Sequence, residues 1–384
     1  MLVTGPPNNG RDEYISEALP ELKKIGKIGY YHVFDYMQKQ APSCEVANLQ
    51  REKVFEISKA KLDEIRDNAF SKVIQEVQAS SNDIDIISTP AIFRAPIRAD
   101  YYTGEVEGLN LEIIKQLNPD LIVLFIDDLI KVRSKINKDP LRKKLGLKLK
   151  DLADWRESSI QIVNHYVDQK KANLLPFDFM IFAKEHPVST FVDLVVGKKP
   201  RLYVSYHITG QEGFKDIQRL IDKLKSSFIC MDPYAIKDWQ IVLAYDQAIQ
   251  ENKNEVSLEI TNDDGKPATE KLPLDETEDA IDLIRSQIVE RDLTVIANVH
   301  ATVVYHKSAQ PSYGVMVEVF HSITKVSRPV YVLYPFKVRL SPFFEHYINR
   351  ENIIQGDKPL DELENELVTK LVDEYKTWST WVPF

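Results

Sequence analysis

Gly5-Pro-Pro-Asn-Asn-Gly10-Arg11-Asp12 follows the apolar run Leu2 to Thr4 with the spacing of a phosphate-binding loop. In such a loop glycines let backbone amides turn onto phosphate oxygens, and the N-terminus of the next helix faces the anion. The end of the loop departs from a phosphotransferase. Phosphoryl transfer uses a lysine on the outer phosphates and a Ser or Thr hydroxyl on magnesium, but Arg11 and Asp12 stand there. Arg11 can hold an anion, whereas Asp12 sets a negative charge beside one. A second stretch with chemical content is Gln310-Pro-Ser-Tyr-Gly-Val-Met-Val-Glu318, preceded by Arg291-Asp292-Leu293. Taken alone, a Glu on the first turns of a helix is a solvated or dipole-pairing residue, Ser312 an N-cap, and Asp292, near a helix start, a cap or ion-pair member. His300, His306 and His321 lack metal-ligand spacing and read as ordinary histidines, so no metal is called for.

Beyond its loop, the first half resembles the archaeal-type adenylate kinases over most of its length. Asn118-Pro-Asp-Leu-Ile-Val-Leu124 is nearly the form those kinases show at the strand before the lid. Ser88-Thr-Pro-Ala-Ile-Phe-Arg94 looks like their nucleoside-monophosphate arm, and Arg133, Arg142 and Arg156 fall where they carry lid arginines. The resemblance implies a P-loop kinase fold with ATP or AMP held at Gly5, Gly10, Arg11 and Asp12. With the lysine and hydroxyl missing, a scaffold or nucleotide-sensing module is expected, and a phosphotransferase is the alternative. The basic run Arg142 to Lys150 reads as a phosphate-handling lid or a solvated helical face.

The second constellation resembles the nucleoside 2-deoxyribosyltransferase superfamily and, within it, the 2'-deoxynucleoside 5'-monophosphate N-glycosidases, whose motif also reads Gln-Pro-Ser-x-Gly-Val before the catalytic Glu. The resemblance covers roughly residues 201 to 350. Transferases of the superfamily usually carry an Asp six residues before that Glu, where it meets a sugar hydroxyl. The glycosidases carry a Ser that meets the 5'-phosphate, and this chain has Ser312. Arg339-Leu-Ser341 looks like the segment whose Ser reaches the phosphate of the neighbouring subunit, which implies a homodimer or higher homo-oligomer. Breaking an N-glycosidic bond through an oxocarbenium-like transition state needs a carboxylate at C1' and an acid for the departing base. Glu318 fits the first role; Asp292 fits the second, or orients Glu318. Gly314 lets the backbone approach the ligand, and Tyr206, Tyr313 or His207 line the base or phosphate pocket. The expected reaction is hydrolysis of a (deoxy)nucleoside 5'-monophosphate to base and sugar 5-phosphate, with no cofactor; a second base as acceptor would give transfer.

The elements that must position these residues follow from periodicity. Apolar runs Leu2 to Thr4, Ile28 to Phe34, Ile84 to Ser88, Leu121 to Ile126 and Phe179 to Phe182 alternate with helical patterns, as in a parallel α/β sheet. Gly197-Lys-Lys-Pro200 breaks the rhythm, which restarts at Leu202 to Ser205, Thr302 to Tyr305 and Val330 to Tyr334. The expected fold is therefore α/β with two Rossmann-like domains, 1–197 and 198–384. A polar hairpin near 251–278, turning at Asn262-Asp-Asp-Gly265, is read as an insertion in the second. The stripe Leu360, Leu363, Leu367, Leu371 and Tyr375 marks a last helix that packs on its domain or on a partner. At 384 residues the chain exceeds what one core usually serves. Its net charge of -9 disfavours a nucleic-acid polymer as partner. Two cysteines, Cys44 and Cys230, build no disulfide framework, and no apolar run approaches the roughly 20 residues of a membrane span, so a cytoplasmic location without a membrane partner is expected.

Overall fold

The computed structural model describes residues 1–50, 54, 56–94, 106–139, 143, 146–172, 178–208, 214–261, 266–306, 308 and 312–378. In chain order the first elements are β1 (Leu2–Thr4), α1 (Arg11–Lys23), β2 (Ile28–His32), α2 (Val33–Gln40), α3 (Lys59–Gln78), β3 (Ile84–Ser88), β4 (Ile92–Arg94), β5 (Val106–Glu107) and α4 (Leu111–Leu117). β6 (Leu121–Ile126), α5 (Leu129–Lys138), α6 (Leu149–Ala172), β7 (Asp178–Ala183), α7 (Val188–Val196), β8 (Arg201–Tyr206), α8 (Phe214–Lys225) and β9 (Ile229–Met231) follow. The remainder is α9 (Trp239–Gln250), β10 (Glu255–Thr261), β11 (Pro267–Pro273), α10 (Leu274–Ala297), β12 (Ala301–Tyr305), α11 (Tyr313–Phe320), β13 (Val330–Tyr334), α12 (Pro342–Tyr347), β14 (Ile353–Gln355) and α13 (Leu360–Trp378).

By its internal contacts the chain divides into Met1–Val188 with Ile236–Ile288, and Ser189–Ala235 with Val289–Phe384. Each unit holds a parallel sheet, so the fold is α/β with two Rossmann-like sheets. In the first the order is β2-β3-β1-β6-β7. β6 is buried along all six residues, which is why its sequence is a continuous apolar run rather than an alternation. The strand order reverses beside β1, so residues 5–10 leave the sheet at the crevice where open α/β sheets bind ligands.

The second sheet runs β14-β13-β12-β8-β9. One face carries Leu202, Val204, Tyr206, Val303, Tyr305 and Leu333 against Ile217, Leu220 and Leu224 of α8 and Leu363, Leu367 and Leu371 of α13. The apolar stripe of α13 is thus spent on its own unit. The other face carries Val304, Val332 and Tyr334 against Val315 and Val319 of α11 and Phe344 of α12.

Three expectations change. The division falls at 188 rather than near 197, and α7 belongs with the second unit. The hairpin β10–β11 forms, pairing Glu255 with Pro273 through to Thr261 with Pro267, but it belongs to the first unit; residues 262–265, its expected turn, lie outside the described residues. Buried polar bonds bind this returning segment. Arg156 of α6 donates to Asp238 at 2.5 Å and to Gln287 at 2.8 and 2.5 Å, and Arg133 of α5 pairs with Glu276 at 3.0 Å. Finally, Asp292 lies near the end of the 24-residue α10, not near a helix start, because the helix begins directly after β11. Among the described residues no helix is long and apolar enough to cross a membrane.

Candidate active site

Alternation along β8 turns Tyr203 and Ser205 away from the α8 face and towards α11. There they meet Glu318. The Tyr203 hydroxyl donates to Oε1 at 3.0 Å, and the Ser205 hydroxyl donates to Oε2. Asp292 of α10 is buried in an ion pair with Arg291 at 2.8 Å, and its charge acts on Glu318. Burial, then Asp292, pushes the Glu318 carboxyl up to about 8, against the opposing pull of the Ser205 and Tyr203 hydroxyls and of Arg291. Burial also raises Asp292, with Arg291 opposing. A buried carboxyl with a second one beside it can therefore carry a proton near neutrality and release it just above.

The parallel register sets β12 between β8 and β13, so the segments that follow these three strands leave from one edge of the sheet. Those segments carry His207, Ser312 and Ser341. His207 is exposed just past β8. Ser312 occupies the N-cap position of α11, with its carbonyl accepting from the Met316 amide at 3.0 Å, but its hydroxyl makes no capping bond. Among the described residues, a Cβ at Gly314 would have the Ser312 hydroxyl as its near neighbour, at 3.8 Å. Ser341 caps α12 in the same manner, through its carbonyl and without a capping bond from its hydroxyl. Gln310 and Pro311 of the motif lie outside the described residues.

Tyr206 faces the other way. It is buried in the core against α8, and its hydroxyl donates to Asp232 at 2.6 Å, which gives it a structural partner. Tyr313 is 93% exposed. His306 is buried against the rings of Tyr334 and Phe344, where burial alone lowers its imidazole to about 4 and keeps it neutral. Among the described residues no group of three or more His, Cys, Asp or Glu side chains is placed to hold a metal.

In the first unit Gly5 cannot be replaced without a collision, since a Cβ there would lie 2.1 Å from the Phe125 carbonyl oxygen. Gly10 is left-handed at φ 76° and begins α1. Arg11 turns inward: its guanidinium donates to the Ser88 hydroxyl at 2.8 Å and the Thr89 carbonyl at 2.9 Å and pairs with Asp12. Burial works against the Asp12 charge, but Arg11, His32 and Ser88 together hold its carboxyl well below the usual carboxylate range. The cation beside the loop comes from elsewhere. Lys184, directly after β7, places Nζ 3.0 Å from where a Gly10 Cβ would stand, and Asp127 steadies it at 3.7 Å. Of the three arginines expected at a lid, Arg133 and Arg156 are held by Glu276 and Asp238, and Arg142 lies outside the described residues.

Tyr203, Ser205 and Lys184 escape a reading of the sequence. A Ser within the apolar run of β8, two residues from a Tyr, is the signal for the first pair; Lys184 offers none beyond its place at a strand end. The sequence matches no protein-family model, and a search of curated proteins returns no significant match.

Proposed function

We propose that the second unit hydrolyses the N-glycosidic bond of nucleoside or deoxynucleoside 5'-monophosphates. One observation carries the reading: Glu318 projects from α11 into contact with β8, beside a second buried carboxyl, six residues after a serine whose hydroxyl is not used as a cap. Its carboxylate faces positive charge at C1' as the C–N bond breaks. The departing base takes the electron pair of the C–N bond and a proton, C1' gains the hydroxyl of a water, and that water's other proton makes good the one given to the base. Asp292, tied to Arg291, raises the basicity of Glu318 through its charge. Ser312, at the N-terminus of α11 with its hydroxyl not used as a cap, suits a phosphate, which a carboxylate at that position would repel. Exposed Tyr313 and Val317 of α11 and Phe343 and Tyr347 of α12 support a homodimer in which Ser341 reaches the partner's phosphate.

A panel of nucleotides, followed by chromatography for free base, tests this directly. The best substrate should be bound within a few fold by Glu318→Gln while turnover falls by a factor on the order of a thousand, as for an interaction made chiefly in the transition state. Base release by the folded variant at the parental rate overturns the mechanism.

A second reading concerns the first unit, which we infer holds nucleotide phosphates without transferring them. Lys184 at Gly10 favours it, while the inward Arg11 disfavours phosphoryl transfer. Lys184→Met should weaken ATP or AMP binding about tenfold or more, the worth of one charged contact. Undiminished binding would remove Lys184 from the site, and conversion of AMP to ADP at about 1 to 100 per second would make this unit a kinase.

A further inference from the structure

We propose that Ser205 is the positioning residue of this site: with Tyr203 it grips both oxygens of Glu318 from one strand face, fixing the carboxylate plane and favouring its ionised form before substrate arrives. The two donors stand at i and i+2 on β8, the spacing that sets side chains on a common face about 7 Å apart. A carboxylate bridged by a long Tyr and a short Ser therefore has little freedom to rotate. Ser205 is fully buried in a strand whose neighbours Leu202, Val204 and Tyr206 serve the opposite core. A buried hydroxyl is costly unless bonded, and its acceptor here is Glu318 Oε2. Hydrogen bonds to the charged form of an acid lower its proton affinity, and here they work against burial and Asp292. Losing the Ser205 hydroxyl leaves Oε2 without that donor and shifts the balance towards the protonated acid.

The inference rests on the reading that Glu318 acts as a carboxylate, but its first test needs no substrate. Carboxyl-carbon NMR of the ligand-free full chain, with the Glu318 signal assigned by its loss in Glu318→Gln, gives the midpoint directly. Ser205→Ala should raise it by about half a pH unit or more, and Ser205→Thr, which keeps a hydroxyl, should hold it close to the parent's. A midpoint unmoved in folded Ser205→Ala, or moved equally by Ser205→Thr, overturns the proposal. With a nucleotide substrate, Ser205→Ala should lower kcat about tenfold with KM within a few fold, as expected when a hydrogen bond to a charged group is lost. A shifted midpoint together with no base released from any nucleotide would uphold the positioning role and sink the glycosidase reading.

Discussion

Glu318 is held in opposition. Burial and Asp292 press it towards the neutral acid, and two hydroxyls draw it towards the carboxylate. If the carboxylate is the working form, kcat/KM should rise about tenfold per pH unit through the acidic range and level off above about 8. A flat profile between pH 5 and 9 would show that Glu318 does not titrate in catalysis. The same elevation has a consequence for stability. A group whose folded value lies above its ordinary one contributes stability at low pH that is lost as pH rises through the folded value, so Glu318→Gln should fold at least as well as the parent at alkaline pH. Glu318, Ser312 and Asp292 are legible in the sequence because they lie in contiguous motifs. Ser205 and Tyr203 are not, since their meaning depends on which face of β8 turns towards α11.

Strands and helices were legible wherever one period dominates. Leu121–Ile126 and the stripe of α13 fall where apolar spacing places them. The membership of Ile236–Ile288 was not, because it depends on contacts between segments far apart in sequence, buried polar ones among them. At the end of β6 the Asp128 carboxylate accepts from the Lys237 amide at 2.6 Å, and Asp238 accepts from the Leu129 amide at 3.0 Å. This doubles back one segment on another at the cost of crowding Asp127, Asp128 and Asp238. Burial first, then Asp238 and Asp127, pushes Asp128 up to about 7. Its contribution to stability is accordingly present below the ordinary carboxylate range and lost as pH rises through about 7. Asp128→Asn keeps an acceptor for the Lys237 amide without the charge. Its melting temperature should fall less than the parent's between pH 5 and pH 8, and equal falls would show that Asp128 is not the strained member of the cluster.

The molecule carries a net charge of -9, yet α11 and α12 expose Tyr313, Val317, Phe343 and Tyr347 next to the two serines proposed to meet phosphate. Phe343, at 78% exposure, has little to lose within its own chain. Phe343→Asp should therefore shift the sedimentation coefficient from dimer to monomer with little change in melting, and base release should fall with it if Ser341 acts across the interface. A monomeric parent, or an active monomeric variant, would confine the site to one chain.

The path of the chain through its two units bears on how it is made. The first unit is left at Val188 and resumed only from Ile236 to Ile288. On the ribosome, Arg156 and Arg133 emerge well before Asp238, Gln287 and Glu276, the groups that later neutralise and bond them. A nascent chain paused in the second unit therefore holds buried-side guanidinium groups without their acceptors, and the first unit can close only after part of the second has been synthesised. Folding in this protein is expected to be interleaved rather than sequential, with translation past residue 288 as the step that commits the N-terminal sheet to its final packing.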